Sequence, residues 1–179
     1  MVCLTQGNVV SCLLVILLSV NASAAMPSGW GRVNMQGSII ETACAIDTVS
    51  RDQTIDMSVL PLSQIIRDGQ SMTHSFSVRL VNCIVGRIDP KLPDWQRFQI
   101  TFEGRTDTGG FGVEGEAKGI ALQISDTFGN IANPGKPLPS GEVTPGDKTL
   151  NYSIRLVGNN QQLKAGEYNS TLRFKMEYY

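Results

Sequence analysis

The feature that most constrains this chain is an alternation running through its last fifteen residues. Tyr168, Ser170, Leu172, Phe174, Met176 and Tyr178 fall on one face at period two, and Glu167, Asn169, Thr171, Arg173, Lys175 and Glu177 fall on the other. Successive side chains of a strand point to opposite faces, so the pattern predicts one long strand with an apolar side and a wet side. Wound as a helix, the same apolar residues would wrap all round the axis and face no single core. A long strand at the end of the sequence leaves one edge of backbone N–H and C=O groups uncovered. Such an edge invites another chain, so something has to pair with it.

The same period recurs upstream. Val33, Met35, Gly37 and Ile39 alternate with Arg32, Asn34, Gln36 and Ser38, and the extended reading continues from Thr42 through Cys44 to Ile46. Phe76, Val78 and Leu80 form a further alternating set, as do Phe98, Ile100 and Phe102, then Ile120, Leu122 and Ile124, then Leu150, Tyr152, Ile154 and Leu156. Residues 104–115, 129–146 and 158–166 are rich in Gly, Pro, Asn or Asp and read as loops. Residues 51–71 are mixed, interrupted at Leu60-Pro61-Leu62, and residues 57–67 hold the one weak helical candidate. Strands of this length at this spacing, with no internal repeat and no sign of a second domain, predict an all-β antiparallel sandwich.

Cysteine usage and compartment are linked. Residues 1–25 contain no Asp, Glu, Lys or Arg, and an apolar run from Val9 to Val20 is too short to span a membrane. Ala22-Ser-Ala24 supplies a small-residue cleavage pattern, with Ser23-Ala-Ala25 one residue later. Together they predict a signal peptide over 1–25, although no positive charge precedes the apolar run. Its removal takes Cys3 and Cys12 and leaves Cys44 and Cys83. Cys12 lies inside the apolar run rather than after it, which argues against lipid attachment. Two cysteines in an exported chain predict one disulfide, since a metal site would need more ligands. Closing that loop is worth about 4 kcal/mol on a chain-entropy model.

Little in the sequence supports chemistry. His74 is the sole histidine, so Ser-His-Asp and His-metal arrangements have almost nothing to build on, and it is expected at the surface or a strand edge. Asp89, Asp94, Asp107 and Asp126 stand in or beside loops without the close spacing of a calcium loop. No helix follows Gly109-Gly-Phe-Gly112, so this stretch reads as a hairpin or loop rather than a phosphate cradle. Trp30 and Trp95 are better placed at a buried interface than as sugar-stacking platforms. With 17% charged residues and a net charge of −1, the chain lacks the basic signature of a nucleic-acid binder. The expectation is no enzyme, no catalytic residue, no metal, no cofactor and no nucleic-acid partner.

From Ser38 onward the strands number about six, where an immunoglobulin-like sandwich calls for a seventh after the last of them. One strand is missing at the end, while the alternating stretch near residues 29–37 is surplus at the start. In this arrangement the chain resembles the subunits of chaperone–usher pili. The marks are the penultimate Tyr178, Gly166 fourteenth from the end, the alternating face between them, and Gly31-Arg-Val-Asn-Met-Gln-Gly-Ser-Ile-Ile-Glu-Thr-Ala-Cys44 leading into the first cysteine. Cys83 stands where the family's second cysteine does, and Ala117-Lys-Gly-Ile-Ala-Leu-Gln-Ile124 is similar to its central strand.

The resemblance implies an incomplete immunoglobulin-like β-sandwich lacking its last strand and completed in trans by donor-strand complementation. It divides the chain into a signal peptide at 1–25, a donor-strand extension at 26–37 and a pilin domain at 38–179. Val33, Met35, Gly37 and Ile39 would be the donated residues. Gly166, Tyr168, Leu172, Phe174, Met176, Tyr178 and Tyr179 would form the strand that meets the chaperone and later the next subunit, with the Tyr179 carboxylate gripped by basic chaperone residues. The implied partners are a periplasmic pilus chaperone, an outer-membrane usher and neighbouring pilus subunits. The implied destination is a fimbrium on the bacterial surface, reached through the periplasm. The pattern around Trp30, Gly37, Ala117-Lys-Gly119, Gly129-Asn-Ile-Ala132 and Ala165-Gly-Glu-Tyr168 is most similar to the terminating, membrane-proximal minor subunit of P pili. A major rod subunit or tip-fibre adaptor is the alternative within the family, and a secreted sandwich module binding carbohydrate or protein is the alternative outside it. A tip adhesin would carry a separate receptor-binding domain and lack the extension.

Overall fold

The structure, a computed structural model, describes residues 31–179. The expected signal peptide, Cys3, Cys12 and Trp30 lie outside the described residues. The chain divides into two compact units, Met1–Ser38 and Ile39–Tyr179. In the first, residues 31–38 form no helix or strand, and Val33 and Met35 are 87% and 93% exposed. Their alternation is a strand pattern, but a strand exists only where a second backbone supplies its hydrogen bonds.

The second unit is a β-sandwich built on antiparallel ladders. In chain order it contains β1 (Ala45–Ile46), α1 (Thr48–Arg51), α2 (Leu62–Asp68), β2 (His74–Cys83), β3 (Arg97–Glu103) and β4 (Thr106–Asp107). There follow β5 (Gly110–Gly112), β6 (Glu114–Gly115), β7 (Ile120–Asp126), β8 (Gly141–Glu142), β9 (Gly146–Gly158), β10 (Tyr168–Asn169) and β11 (Arg173–Tyr178). One sheet runs β1-β2-β9-β7-β5-β4, the other β11-β3-β8, and β10 pairs with β6 in a small ribbon. β9 is the spine of the larger sheet, in register with β2 through Phe76 opposite Tyr152 and with β7 through Leu122 opposite Leu156.

The inward residues of both sheets form one core. Val78, Leu80, Phe102, Phe111, Ile124 and Leu156 are all nearly inaccessible. Tyr152 sits at its centre, with its ring 5.4 Å from Phe76 and 5.2 Å from Phe102. Burial pushes the Tyr152 phenol far above its usual range, and the Asp126 charge adds to the shift. Cys44 and Cys83 are joined in a disulfide as the cysteine count predicts, tying the entry of β1 to the end of β2. His74 is the first residue of β2 and half-buried, a strand-edge position.

Three local expectations are corrected. The stretch 104–115 is more than a loop: Thr106 and Asp107 turn through Thr108 and Gly109 onto Gly110 and Phe111, the hairpin that the glycine pattern suggested. The returning arm, β5, then becomes an interior strand against β7 with Phe111 fully buried. The weak helical candidate at 57–67 is displaced to Leu62–Asp68, because Pro61 starts the helix instead of breaking it. The extended reading through Cys44 is reduced to the two ladder residues of β1, since Asp47 then caps α1 by accepting from the Val49 amide at 2.9 Å.

Candidate functional site

The site is the flank of the sandwich bounded by the C-terminal segment. From Thr171 to Tyr179 exposure alternates residue by residue: Leu172, Phe174, Met176 and Tyr178 are half-buried, while Arg173, Lys175, Glu177 and their polar neighbours are exposed. The alternation matches the one read from the sequence. The degree of burial adds something further, because none of these apolar side chains is closed over. β11 pairs with β3 from Arg173 opposite Glu103 to Tyr178 opposite Phe98, and it lies at the edge of its sheet. Its other edge has no ladder partner among the described residues.

The predicted single strand is broken. Tyr168 and Asn169 pair with Gly115 and Glu114 across the ribbon, then Ser170 donates its hydroxyl to the Gly112 carbonyl at 2.9 Å, and the ladder with β3 begins only at Arg173. Gly166 opens this segment in close contact: a Cβ there would stand 2.9 Å from the Ala117 amide nitrogen and 2.6 Å from the Glu116 Cβ. The neighbouring Glu167 carbonyl accepts from both Glu116 and Ala117 amides, at 2.9 and 3.1 Å. Only a residue without a side chain permits that approach.

Between the sheets beside this segment lies a cavity of about 1280 Å³. Phe76, Phe102, Ile120, Leu122, Ile154 and Leu156, which line it, are all inward residues of the two sheets. Protein interiors are packed to the density of organic crystals, so a cleft of this size in a small sandwich marks a missing component. One lip is residues 164–174. The other is residues 50–60, the end of α1 followed by residues 52–60, which carry no regular structure before α2. Ile55 and Met57 on this lip are half-buried against the core while Thr54, Asp56 and Ser58 are exposed. The lip is held by side chains: Gln53 Nε2 donates to the Ser50 and Ser77 carbonyls at 3.1 and 2.9 Å, and Asp56 accepts from the Ser58 amide at 2.8 Å. Sequence reading missed it. Its signal was the two-step alternation of Ile55 and Met57, masked by the Leu60-Pro61-Leu62 interruption.

The flank is apolar in character even where it carries phenols. Burial pushes the Tyr168 phenol up, with the charge of Asp56 on the opposite lip adding to it, and burial alone raises Tyr178. Both hydroxyls are buried without a hydrogen-bond partner. At the far end Tyr178 meets the edge of Trp95 at 6.2 Å, and Arg87 stacks over the Trp95 ring at 3.9 Å. Trp95 is therefore buried inside its own domain, not held out for a ligand. The Tyr179 main-chain oxygen accepts from the Gln96 and Arg97 amides at 3.1 and 2.8 Å, which fixes the end of β11 on β3. Val33, Met35 and Gly37 belong to the other unit, and Ile39 begins this one, fully exposed. Among the described residues no group of three or more His, Cys, Asp or Glu could hold a metal ion.

The model of the fimbrial protein family matches residues 33–179, all but two of the described residues. The chain belongs to the fimbrial protein family. Two fimbrial relatives from Escherichia coli, the PRS and PAP fimbrial minor pilin proteins, are each 35% identical over 150 residues, covering 83% of this chain and 77% of theirs. The crystal structure of the P pilus rod subunit PapA superposes with a TM-score of 0.66 at 20% identity, covering 77% of this chain and all of that one. The fimbrial fold is thus the immunoglobulin-like sandwich short of one strand, and the chain is a pilin subunit of the chaperone–usher type. The open cleft between residues 50–60 and 164–174 and the uncovered edge of β11 lie on the flank bounded by the C-terminal segment.

Proposed function

We propose that this chain is a minor fimbrial subunit that receives its missing strand from a periplasmic chaperone, donates its own extension to a neighbouring subunit, and ends assembly. In this reading residues 1–25 direct export, residues 26–37 form the extension, and residues 38–179 form the pilin domain presented to the outer-membrane usher. A strand laid along β11 completes the backbone ladder on its free edge. Its alternate apolar side chains fill the cleft beside Tyr168, Leu172, Phe174, Met176 and Tyr178, with Gly166 and Tyr179 bounding the segment. The observation that carries this reading is the half-buried, strictly alternating face of residues 172–178, whose Leu172 and Phe174 line an open apolar cleft.

The donor role rests on Val33, Met35, Gly37 and Ile39. The first two are bare apolar side chains at alternate positions, and a Cβ on Gly37 would meet nothing within 4 Å. Nothing in the described residues calls for glycine there, which suits a requirement imposed by another subunit's groove. The minor position is supported by likeness: identity is 35% over 150 residues to the PAP fimbrial minor pilin protein and 28% over 178 residues to the major MR/P fimbria protein.

Chaperone displacement tests the terminating role. The purified chaperone complex of this chain is mixed with a synthetic peptide copying another subunit's extension and followed by native mass spectrometry. A terminator keeps its chaperone over days, whereas a rod or adaptor subunit releases it. Ready exchange would reject termination and leave the pilin assignment standing.

A further inference from the structure

We propose that the loop from Ile84 to Pro93 is a second docking surface, facing the fimbrial subunit that receives this chain's extension. The inference rests on the donor reading above. The loop carries three exposed apolar side chains, Ile84 at 56%, Ile88 at 85% and Leu92 at 43%, and Ile40, three residues before the Ala43 that bonds Ile84, is 74% exposed. Asp89, Lys91 and Asp94 around it are exposed, giving an apolar centre with a charged rim. That is the anatomy of a contact surface.

The loop is held in shape. The Ile84 amide donates to the Ala43 carbonyl at 2.8 Å, and the Trp95 amide donates to the Val85 carbonyl at 2.8 Å, closing the two ends of the loop. At the tip the Lys91 amide donates to Asp89 Oδ1 at 3.0 Å and the Leu92 amide to the Asp89 carbonyl at 3.1 Å. Glu41 grips the middle, accepting from the Ile88 amide at 2.8 Å and from Arg87 Nη2 at 3.3 Å, while Arg87 stacks on Trp95. The disulfide fixes the root at Cys83. A loop braced at five points that still holds two isoleucines out to water gains nothing from them in its own fold. Rigid presentation of apolar side chains lowers the ordering cost of binding another surface.

Covalent reach selects the occupant. Glu41, bonded to the loop, lies only two residues after Ile39, the last donated residue. Two extended residues span at most about 7 Å. Once Ile39 is drawn into a neighbour's groove, the loop holding Glu41 stands against that same neighbour. The chaperone, by contrast, occupies the β11 edge and cleft of this domain.

The test compares wild-type chain and the double variant Ile84→Asp with Ile88→Asp, each purified with the pilus chaperone. Transfer of the extension into a chaperone-held subunit of the same pilus is timed, and a free peptide copying residues 31–43 is run in parallel. The expected result is normal insertion of the peptide, a normal yield of chaperone complex for the variant, and transfer slowed at least about tenfold, as when two apolar anchors of a contact are replaced by charges. Equal transfer rates for variant and wild type, with the peptide inserting, would overturn the docking surface and leave the donor reading intact. Failure of both peptide and wild-type chain to insert would overturn the donor reading and this inference with it. Loss of the variant's chaperone complex would assign the loop to the chaperone and overturn the occupant named here. The single variant Ile88→Ser repeats each arm without adding charge.

Discussion

Replacing Phe174 with alanine separates the stability of the subunit from that of its complex. The Phe174 ring lies 6.4 Å from Phe102 and lines the open cleft, half-buried. Deleting a fully buried phenylalanine costs about 3–5 kcal/mol. About two thirds of that burial is already present, so about 2.7 kcal/mol falls on the subunit itself, and about 1.4 kcal/mol is lost only when a donated strand closes over the ring. The second share corresponds to about tenfold in chaperone affinity. Lys175, one residue along on the wet face, pairs with Glu177 at 3.3 Å with both side chains about half-exposed, and Lys175→Ala costs less than about 0.5 kcal/mol. Competition between wild-type and variant subunits for limiting chaperone in a co-expressing strain, read by native mass spectrometry, gives the affinity ratio without needing the isolated subunit. The expected result is a drop of about tenfold for Phe174→Ala and less than about threefold for Lys175→Ala. Equal losses on the two faces would refute the claim that the apolar face waits for a strand.

Two more predictions concern the other end of the domain. Cys44→Ser with Cys83→Ser removes about 2–5 kcal/mol from a sandwich already short of a strand, so the double variant is lost from the periplasm even with chaperone present; normal accumulation would show the disulfide to be dispensable. Gly37→Arg leaves the chaperone complex intact and stops incorporation into fimbriae, measured as polymer in heat-resistant ladders, and incorporation at the wild-type rate would reject the donor assignment.

What could be read from the sequence was what period two encodes. Residues 172–178 face where their alternation says they do, because side-chain direction in a strand is local. The break at Ser170 was not legible, since it depends on a hydroxyl bond to Gly112 from more than fifty residues away. The same is true of β5: a lone Phe111 among glycines has no period, and its burial follows from pairing with β7. Ile55 and Met57 became the second lip of the cleft only when the fold placed residues 50–60 opposite 164–174. The cysteines were readable because compartment and count leave little choice. Pro61 was misread because proline marks a helix start as readily as a break.

The central claim is that the free edge of β11 is the landing edge for a strand from another chain. Antiparallel pairing with β3 turns alternate amides of Arg173–Tyr178 toward β3 and the rest toward that edge. Residue-resolved amide hydrogen exchange on the chaperone-held subunit measures both sets at once. The account predicts slow exchange at every amide from Arg173 to Tyr178, as in an interior strand. Protection confined to alternate amides, with the outward set exchanging as freely as an open edge, would contradict it.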